Sequence, residues 1–266
     1  MTKLSDKVAI ITGAQRGIGA GIAKALARHG AQVILTDISN EVTKTAEDIA
    51  KAGQHTSAIK MDVTSTNEVN DVVNQVLTQF GRVDILVNNA GIYPRCELVN
   101  MTDEFLRKIF EVNVFGMFRC ARAVLPTMMK QRYGKIVNVS SVTGPLVADP
   151  TGEQTSYAAT KAAVWGFTTA LALEVARYGI NVNAVCPGYI DTPGGRGQTT
   201  ESDFPDKSLE ELGRTIPISR LGTPEEVGEL VAFLVSDEAR YMTGTHIVID
   251  GGNIIQETYR GPYYQK

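Results

Sequence analysis

Tyr157 and Lys161 stand four residues apart in TSYAATKAAVWGF, so on a helix they share one face. Reducing a carbonyl requires a proton delivered to its oxygen, and a free phenol, with a pKa near 10, releases its proton too reluctantly at neutral pH. An ammonium group one turn away favours the phenolate. The pair therefore predicts an acid/base at Tyr157, tuned by Lys161. Spacing alone is weak support, because a packed tyrosine beside a surface lysine gives the same pattern. Ser141 closes GKIVNVSS, where its hydroxyl would hold a substrate oxygen against the phenol, while Ser140 faces the other way along the strand. Asn113, in EVNVFG, reads as a polar residue lodged in a helix, where it would bind a water that relays protons to Lys161.

A second constellation opens the chain. TGAQRGIG, Thr12 to Gly19, leaves the apolar run KVAIIT and enters a helical stretch. Gly13 permits the turn, Gly17 permits close backbone approach, and Gly19 lets the helix pack on the strand. The exposed N–H groups at such a helix start face a pyrophosphate. Gln15, Arg16 and Ile18 complete the loop as candidate cofactor contacts. Asp37 ends the next strand, some twenty residues on, where a carboxylate accepts hydrogen bonds from ribose hydroxyls. A 2′-phosphate beside it would be repelled by ~4 kcal/mol per charge pair at ~4 Å before screening. The pattern therefore favours NAD over NADP, with Arg16 as the counter-argument, since a guanidinium there reaches a 2′-phosphate. Asp62 and Val63 end the third strand and would flank the adenine. Asn89, Ala90 and Gly91 end the fourth; strand-end capping is the alternative role for all five. An oxidised nicotinamide ring would join Lys161 in favouring phenolate, and three pKa units take ~4 kcal/mol of such interaction.

The elements that must position these residues read as a doubly wound α/β fold. Seven short β-branched runs (KVAIIT, QVILTD, TSAIKMDV, DILVNNA, GKIVNVSS, INVNAVCPG and HIVIDGG) alternate with helix-period stretches at 17–29, 41–52, 68–80 and 155–178. Such alternation specifies a parallel sheet covered on both faces, with ligands beyond the carboxyl ends of its strands. The 266 residues are expected to form one domain over 1–266, with a Gly/Pro/Ser/Thr-rich insertion at about 191–216 that reads as a substrate lid, and a tail at 253–266. A net charge of −3 and a pI near 5.7 argue against a nucleic-acid partner, so a small-molecule partner is expected. Cys96, Cys120 and Cys186 are odd in number and far apart, hence expected as reduced, buried thiols with no metal role. No apolar run has the length of a membrane span or the form of a signal peptide, and a cytoplasmic protein is expected.

With these motifs assembled, the chain resembles the short-chain dehydrogenase/reductase family over essentially its whole length. The resemblance rests on TGAQRGIG, Asp62-Val63, NNAG at 88–91, Asn113, Ser141, Tyr157-Ala-Ala-Thr-Lys161 and Pro187-Gly188. It implies a Rossmann-like fold and a catalytic tetrad of Asn113, Ser141, Tyr157 and Lys161, with Lys161 also holding the nicotinamide ribose. It further implies that Pro187, Gly188, Ile190 and Thr192 border the nicotinamide, and that the molecule is a homotetramer joined through the helix carrying Tyr157. The segments SSVTGPLVADP, CPGYIDTP and DGGNIIQET are more narrowly similar to UcpA-like bacterial oxidoreductases. Two features depart from the family pattern: a longer segment between Ser141 and Tyr157, and a tail whose Tyr259, Tyr263 and Tyr264 read either as reaching a neighbouring subunit's site or as a frayed aromatic end. The leading expectation is an NAD-dependent oxidoreductase interconverting a secondary alcohol and a ketone or aldehyde. An NADPH-dependent 3-oxoacyl-carrier-protein-type reductase and a non-catalytic dinucleotide-binding regulator are the alternatives. Tyr93, Arg95, Leu146, Gln154, Tyr189 and the 191–216 loop are expected to line the substrate pocket, with Arg95 read either as a partner for an anionic substrate or, preferably, as an exposed loop cation.

Overall fold

A computed structural model describes residues 4–193 and 209–256. Its strands are β1 (Val8–Thr12), β2 (Gln32–Asp37), β3 (Thr56–Lys60), β4 (Ile85–Asn88), β5 (Gly134–Val139), β6 (Ile180–Pro187) and β7 (His246–Ile249). They form one sheet in the order β3-β2-β1-β4-β5-β6-β7, with every neighbouring pair parallel. Strand β1 pairs with β2 on one side and β4 on the other, so the order reverses there and opens a crevice at the carboxyl edge.

Alternate strand residues serve opposite layers. Ala9 and Ile11 pack with Ile22 and Leu26 of α1 (Gly17–Arg28), Val42 and Ile49 of α2 (Val42–Ala50), and Val227 and Val231 further along. Val8 and Ile10 face Val72 and Val76 of α3 (Thr66–Phe80). The same layer takes in Val124 and Met128 of α5 (Gly116–Gln131), which comes after α4 (Asp103–Phe110), and Leu171 and Val175 of α6 (Thr155–Val175). Burial on both faces explains why these strands read as largely apolar runs. Two further α-helices, α7 (Leu209–Arg214) and α8 (Pro224–Leu234), follow among the described residues.

The ladders stop before the sequence segments do. β3 ends at Lys60, β4 at Asn88 and β5 at Val139, which leaves Asp62–Val63, Asn89–Gly91 and Ser140–Ser141 in the turns beyond the sheet edge. Between α4 and α5 the helix widens into a π turn over Glu111–Phe115. Three observations differ from expectation or fall outside it. Cys96 is half-exposed on a loop, and only Cys120 and Cys186 are buried. Most of the expected lid lies outside the described residues, as do Tyr259, Tyr263 and Tyr264. Within 191–216, residues 209–214 form α7. Among the described residues no helix is long and apolar enough to cross a membrane.

Candidate active site

Helix α6 carries Tyr157 in its first turn and Lys161 in its second, and the end of β5 meets them. The Lys161 Nζ donates to the Val139 carbonyl at 2.9 Å, and the Lys161 carbonyl accepts from the Ser140 hydroxyl at 3.0 Å. Ser140 thus ties the strand end to the helix. Ser141, next along, has its hydroxyl near enough to the Tyr157 hydroxyl to favour the phenolate, and its Oγ accepts from the Thr143 amide at 3.1 Å. Asn113 sits buried in the π turn, a helix distortion common at functional sites. Its Oδ1 accepts from the Ile92 amide at 2.8 Å, and its Nδ2 donates to the Ile92 carbonyl at 2.8 Å and to the Thr160 hydroxyl at 3.1 Å. Thr160 also donates to the Tyr157 carbonyl at 2.7 Å, so one buried hydroxyl couples Asn113 to the turn bearing Tyr157.

This arrangement corrects the simple picture of a lysine acidifying a tyrosine. Desolvation pushes the Tyr157 phenol up to about 12, against the lowering influence of the Ser141 hydroxyl. Desolvation also pushes the Lys161 ammonium down to about 8, so the cation itself is weakened by burial. Its Nζ lies 5.5 Å from the centroid of the Tyr157 ring. The expected role of Asn113 changes too, because its amide is already engaged at both ends. A small enclosed cavity of about 10 Å³ is lined by Thr12, Asn88, Asn113, Cys120 and Lys161 among others, near the lower bound for one water. Asn88 donates to Asn138 at 2.8 Å, while its buried Oδ1 has no partner among the described residues. A proton-relay water fits this cavity better than the Asn113 amide.

The glycine loop lies across the sheet edge at the reversal point. Gly13 and Gly17 adopt φ of +63° and +58°. A Cβ on Gly19 would fall 2.2 Å from the Gly13 carbonyl oxygen, and one on Gly13 would fall 2.7 Å from the Ala90 Cα. Asn89 braces this contact, donating to the Thr12 and Gly13 carbonyls at 3.0 and 2.8 Å. The Thr12 hydroxyl accepts from the Asn89 and Ala90 amides, both at 3.0 Å. α1 then starts behind an exposed Arg16 with no side-chain cap and no acidic residue in its first turn. By contrast, Ser65, Thr102 and Thr223 cap α3, α4 and α8. The open N–H groups of α1 therefore remain available to an anion, which fits the pyrophosphate of a dinucleotide.

Asp37 sits beside this loop, its two carboxylate oxygens accepting from the Gln15 and Ser39 amides at 3.1 and 3.0 Å. Thr192 reaches the loop from the far side, 3.4 Å from the position of a Cβ on Gly17. Ile190 pairs with Gly222, and Gly188, just past β6, lies against Asp250. Asp62 is taken up by its own turn, accepting from the Thr64 amide and hydroxyl at 2.8 Å each, and Val63 packs on Gly116. Gly91 lies next to the Asn113 amide.

Above Tyr157, the ring of Tyr93 stands edge-on at 6.3 Å between centroids. Arg95 is not the exposed cation expected from sequence, for its side chain is 19% exposed, donates to Thr151 at 2.8 Å and lies 3.9 Å from Asp149. Gln154 is buried, Tyr189 half-buried and Leu146 39% exposed. Sequence reasoning missed Thr160, Asn88 and Asp149. Thr160 was findable as a threonine inside a helix, free to bond back to the preceding turn. Asp149 carried no local signal, because its partner lies 54 positions earlier in the chain.

The sequence model of a family described as enoyl-(acyl carrier protein) reductase matches residues 13–253. The oxidoreductase UcpA of Salmonella typhimurium is 47% identical over 260 residues, covering 97% of this chain and 98% of its own. The 3-oxoacyl-[acyl-carrier-protein] reductase FabG of Thermotoga maritima is 43% identical over 258 residues, covering 95% of this chain and all of its own. Among solved structures, the aldohexose dehydrogenase of Thermoplasma acidophilum superposes with a TM-score of 0.87 at 34% identity, covering 98% of this chain and 99% of that one. A seven-stranded parallel sheet, an open glycine-loop helix and a Ser141–Tyr157–Lys161 cluster at one sheet edge agree with these matches, and the chain belongs to the short-chain dehydrogenase/reductase family.

Proposed function

We propose that the protein is an NAD-dependent oxidoreductase that interconverts a secondary alcohol and its carbonyl, with Tyr157 as the acid/base. The observation that carries the proposal is the meeting of Ser141 with the Tyr157 hydroxyl beside a buried Lys161, at the same sheet edge as an uncapped glycine-loop helix. Gly13, Gln15, Gly17 and Ile18 would hold the pyrophosphate, Asp37 the adenosine ribose, and Ile190 and Thr192 the nicotinamide end. When bound, the nicotinamide dinucleotide supplies the hydride acceptor or donor and, in its oxidised form, a positive charge.

The residues of the chain manage the proton. In the oxidative direction Tyr157 takes the proton of the alcohol oxygen, and in the reductive direction it returns one to the carbonyl oxygen. Ser141 fixes that oxygen against the phenol. Burial keeps the phenol protonated, ready to donate to a carbonyl oxygen, and the positive charge that the oxidised cofactor would bring favours the phenolate that takes an alcohol's proton. Lys161, depressed to about 8, exchanges protons near neutral pH and passes them toward the cavity shared with Asn88.

Asp37 supports NAD over NADP, since both its oxygens already face the loop and the turn after β2, leaving a second phosphate to meet a carboxylate. This argues against the NADPH-dependent carrier-protein reductase reading, which the likeness to FabG otherwise favours. We further propose a homotetramer built on the outer face of α6.

The experiment is a panel of secondary alcohols and ketones assayed with NAD(H) and NADP(H). Tyr157→Phe should lower kcat by about 10²–10⁴-fold while NADH fluorescence still reports binding. Asp37→Ala should narrow the preference for NAD. Undiminished turnover in Tyr157→Phe would remove the chemistry, and binding of NADH without turnover of any substrate would favour a sensor.

A further inference from the structure

A run of buried side-chain hydrogen bonds crosses from α6 to β4, and its direction is forced at every step. The Thr168 hydroxyl donates to the Val164 carbonyl at 2.7 Å, which spends its single proton. Thr168 can then only accept from Asn138, whose Nδ2 donates to it at 3.0 Å. The Oδ1 of Asn138 is left as an acceptor, and Asn88 Nδ2 donates to it at 2.8 Å within the β4–β5 register pair. Asn88 is thereby held with its amide nitrogen on Asn138 and its Oδ1 free for the cavity it lines. Asn138 and Thr168 are fully buried and Asn88 is 7% exposed, yet that Oδ1 has no partner among the described residues. A buried acceptor left unpaired is costly, so the orientation calls for a donor in the cavity.

The other polar groups lining this cavity of about 10 Å³ are Thr12, Asn113, Cys120 and Lys161. Thr12 Oγ1 accepts from the Asn89 and Ala90 amides and donates to the Val87 carbonyl at 3.4 Å. The Asn113 amide is engaged by Ile92 and Thr160. Burial pushes the Cys120 thiol up to about 12, so it stays protonated and offers only a weak donor. Lys161 differs, because an ammonium carries three N–H groups and the carbonyl of Val139, another lining residue, takes one of them. We propose that Asn88 is a positioning residue that, through one water seated in this cavity, keeps Lys161 in its ammonium form during turnover. The inference rests on the oxidoreductase reading, in which that ammonium favours the Tyr157 phenolate. A water that donates to Asn88 Oδ1 presents a lone pair to a Lys161 N–H, and a further acceptor beside an ammonium favours the charged form. With its amide reversed, Asn88 would offer the cavity a donor and favour the neutral amine, which is what the fixed run of bonds prevents. The titratable groups around Lys161 among the described residues are Tyr157 on the same helix, Cys186 of β6 and Cys120 of α5. The adjoining π turn adds Glu111, which is paired with Arg119. None of these is an unpaired carboxylate, so a neutral acceptor reached through water is the available counterweight to burial.

The test reads the charge of Lys161 directly and then in catalysis. In the unliganded chain carrying 13C-labelled lysine, the NMR signal that disappears in Lys161→Met reports the midpoint of its titration. Asn88→Leu removes the acceptor at similar volume and should lower that midpoint by about one pH unit, the size of one hydrogen bond to the charged form. Asn88→Asp puts a charged acceptor in its place and should raise the midpoint by about one unit or more. In alcohol oxidation at saturating NAD, the decline of kcat at high pH should move in the same two directions. Both variants lose the bond to Asn138, so a merely structural role would disturb them alike, and opposite shifts isolate the acceptor. Thermal unfolding checks that each variant folds, and if Asn88→Leu does not, an unmoved midpoint in Asn88→Asp suffices to overturn the inference. An unmoved midpoint in Asn88→Leu, or shifts of the same sign in both variants, would overturn it while leaving hydride transfer standing. Opposite shifts in a chain that turns over no alcohol or ketone with either cofactor would instead bring down the oxidoreductase reading, and the purpose assigned to Asn88 with it.

Discussion

Lys161 shows how far the chemistry of one residue departs from what its neighbours in sequence suggest. It is 6% exposed, and burial brings its ammonium from 10.5 down to about 8. Between those two values the unfolded chain binds the proton and the folded chain does not, so this group's share of stability rises with pH across that window. Below about pH 8 its full cost is present, on the order of 3 kcal/mol from the shift alone. Replacing it by a hydrophobe of similar reach removes that cost and gives up the hydrogen bond to Val139, worth about 1 kcal/mol. Lys161→Met should therefore raise the midpoint of thermal unfolding by several degrees at pH 7, by little near pH 10, and lower turnover by at least about a hundredfold. A loss of stability at pH 7, or a gain that does not fade at high pH, would contradict the assignment. Asn113, Ser141, Tyr157 and Lys161 were legible as candidates through the motifs around them taken together, since a tyrosine and a lysine spaced by four are common on their own. The direction of the Tyr157 shift was not, since it depends on how much water the folded chain excludes, and no spacing of residues encodes that. Nor was the engagement of Arg95, whose partner arrives from another loop.

At the level of elements, the carboxyl edge of the sheet is shaped by the turns beyond each ladder more than by the ladders themselves. The seven strands were legible in the sequence because burial makes most of their positions β-branched or otherwise apolar, with only scattered polar residues such as Asn138 and Asn183 among them. Their ends were not, since Asp62, Asn89 and Ser141 extend an apolar run in sequence while turning away in space. Helices α4 and α5 stayed obscure for a different reason: the π turn at Glu111–Phe115 shifts the period between them and Pro126 interrupts the second. The contact between α1 and β1 is the most exacting of these junctions. Gly19 approaches the Gly13 carbonyl so closely that an added methyl must displace backbone braced by Asn89. Gly19→Ala should thus weaken NADH binding by about tenfold or more, by about 1.4 kcal/mol per tenfold, while Gly166→Ala on α6, with open space at the Cβ position, should stabilise the isolated helix by up to about 1 kcal/mol. NADH titration and thermal unfolding of the two variants separate the effects, and equal behaviour would deny the loop its special geometry.

For the molecule as a whole, the proposed assembly would be built on the outer face of α6. Leu173 is 85% exposed there, and Phe115 and Phe118 at the adjoining π turn and α5 are each 49% exposed. A groove lined by Trp165, Gly166, Ala170, Leu173 and Thr243 runs along the same face. Small residues alternating with large ones let a second copy of the helix approach closely, and a two-fold axis would set each Leu173 into its partner's groove. The opposite end of α6 carries Tyr157, so assembly would also steady the helix that holds the acid/base. Leu173→Glu should leave the folded subunit within about 0.5 kcal/mol of the original, because an exposed helix position tolerates either residue. It should nonetheless break the assembly, since a charge would have to enter an apolar interface. Sedimentation at micromolar concentration would then find the intact chain near four times 28.7 kDa and the variant at a smaller species. The chain's single tryptophan, Trp165, stacks on His246 at 4.1 Å within this groove, so its emission should change on dilution of the intact chain but not of the variant. Identical sedimentation of the two proteins would place the subunit contact elsewhere and leave the apolar face of α6 without a role in assembly.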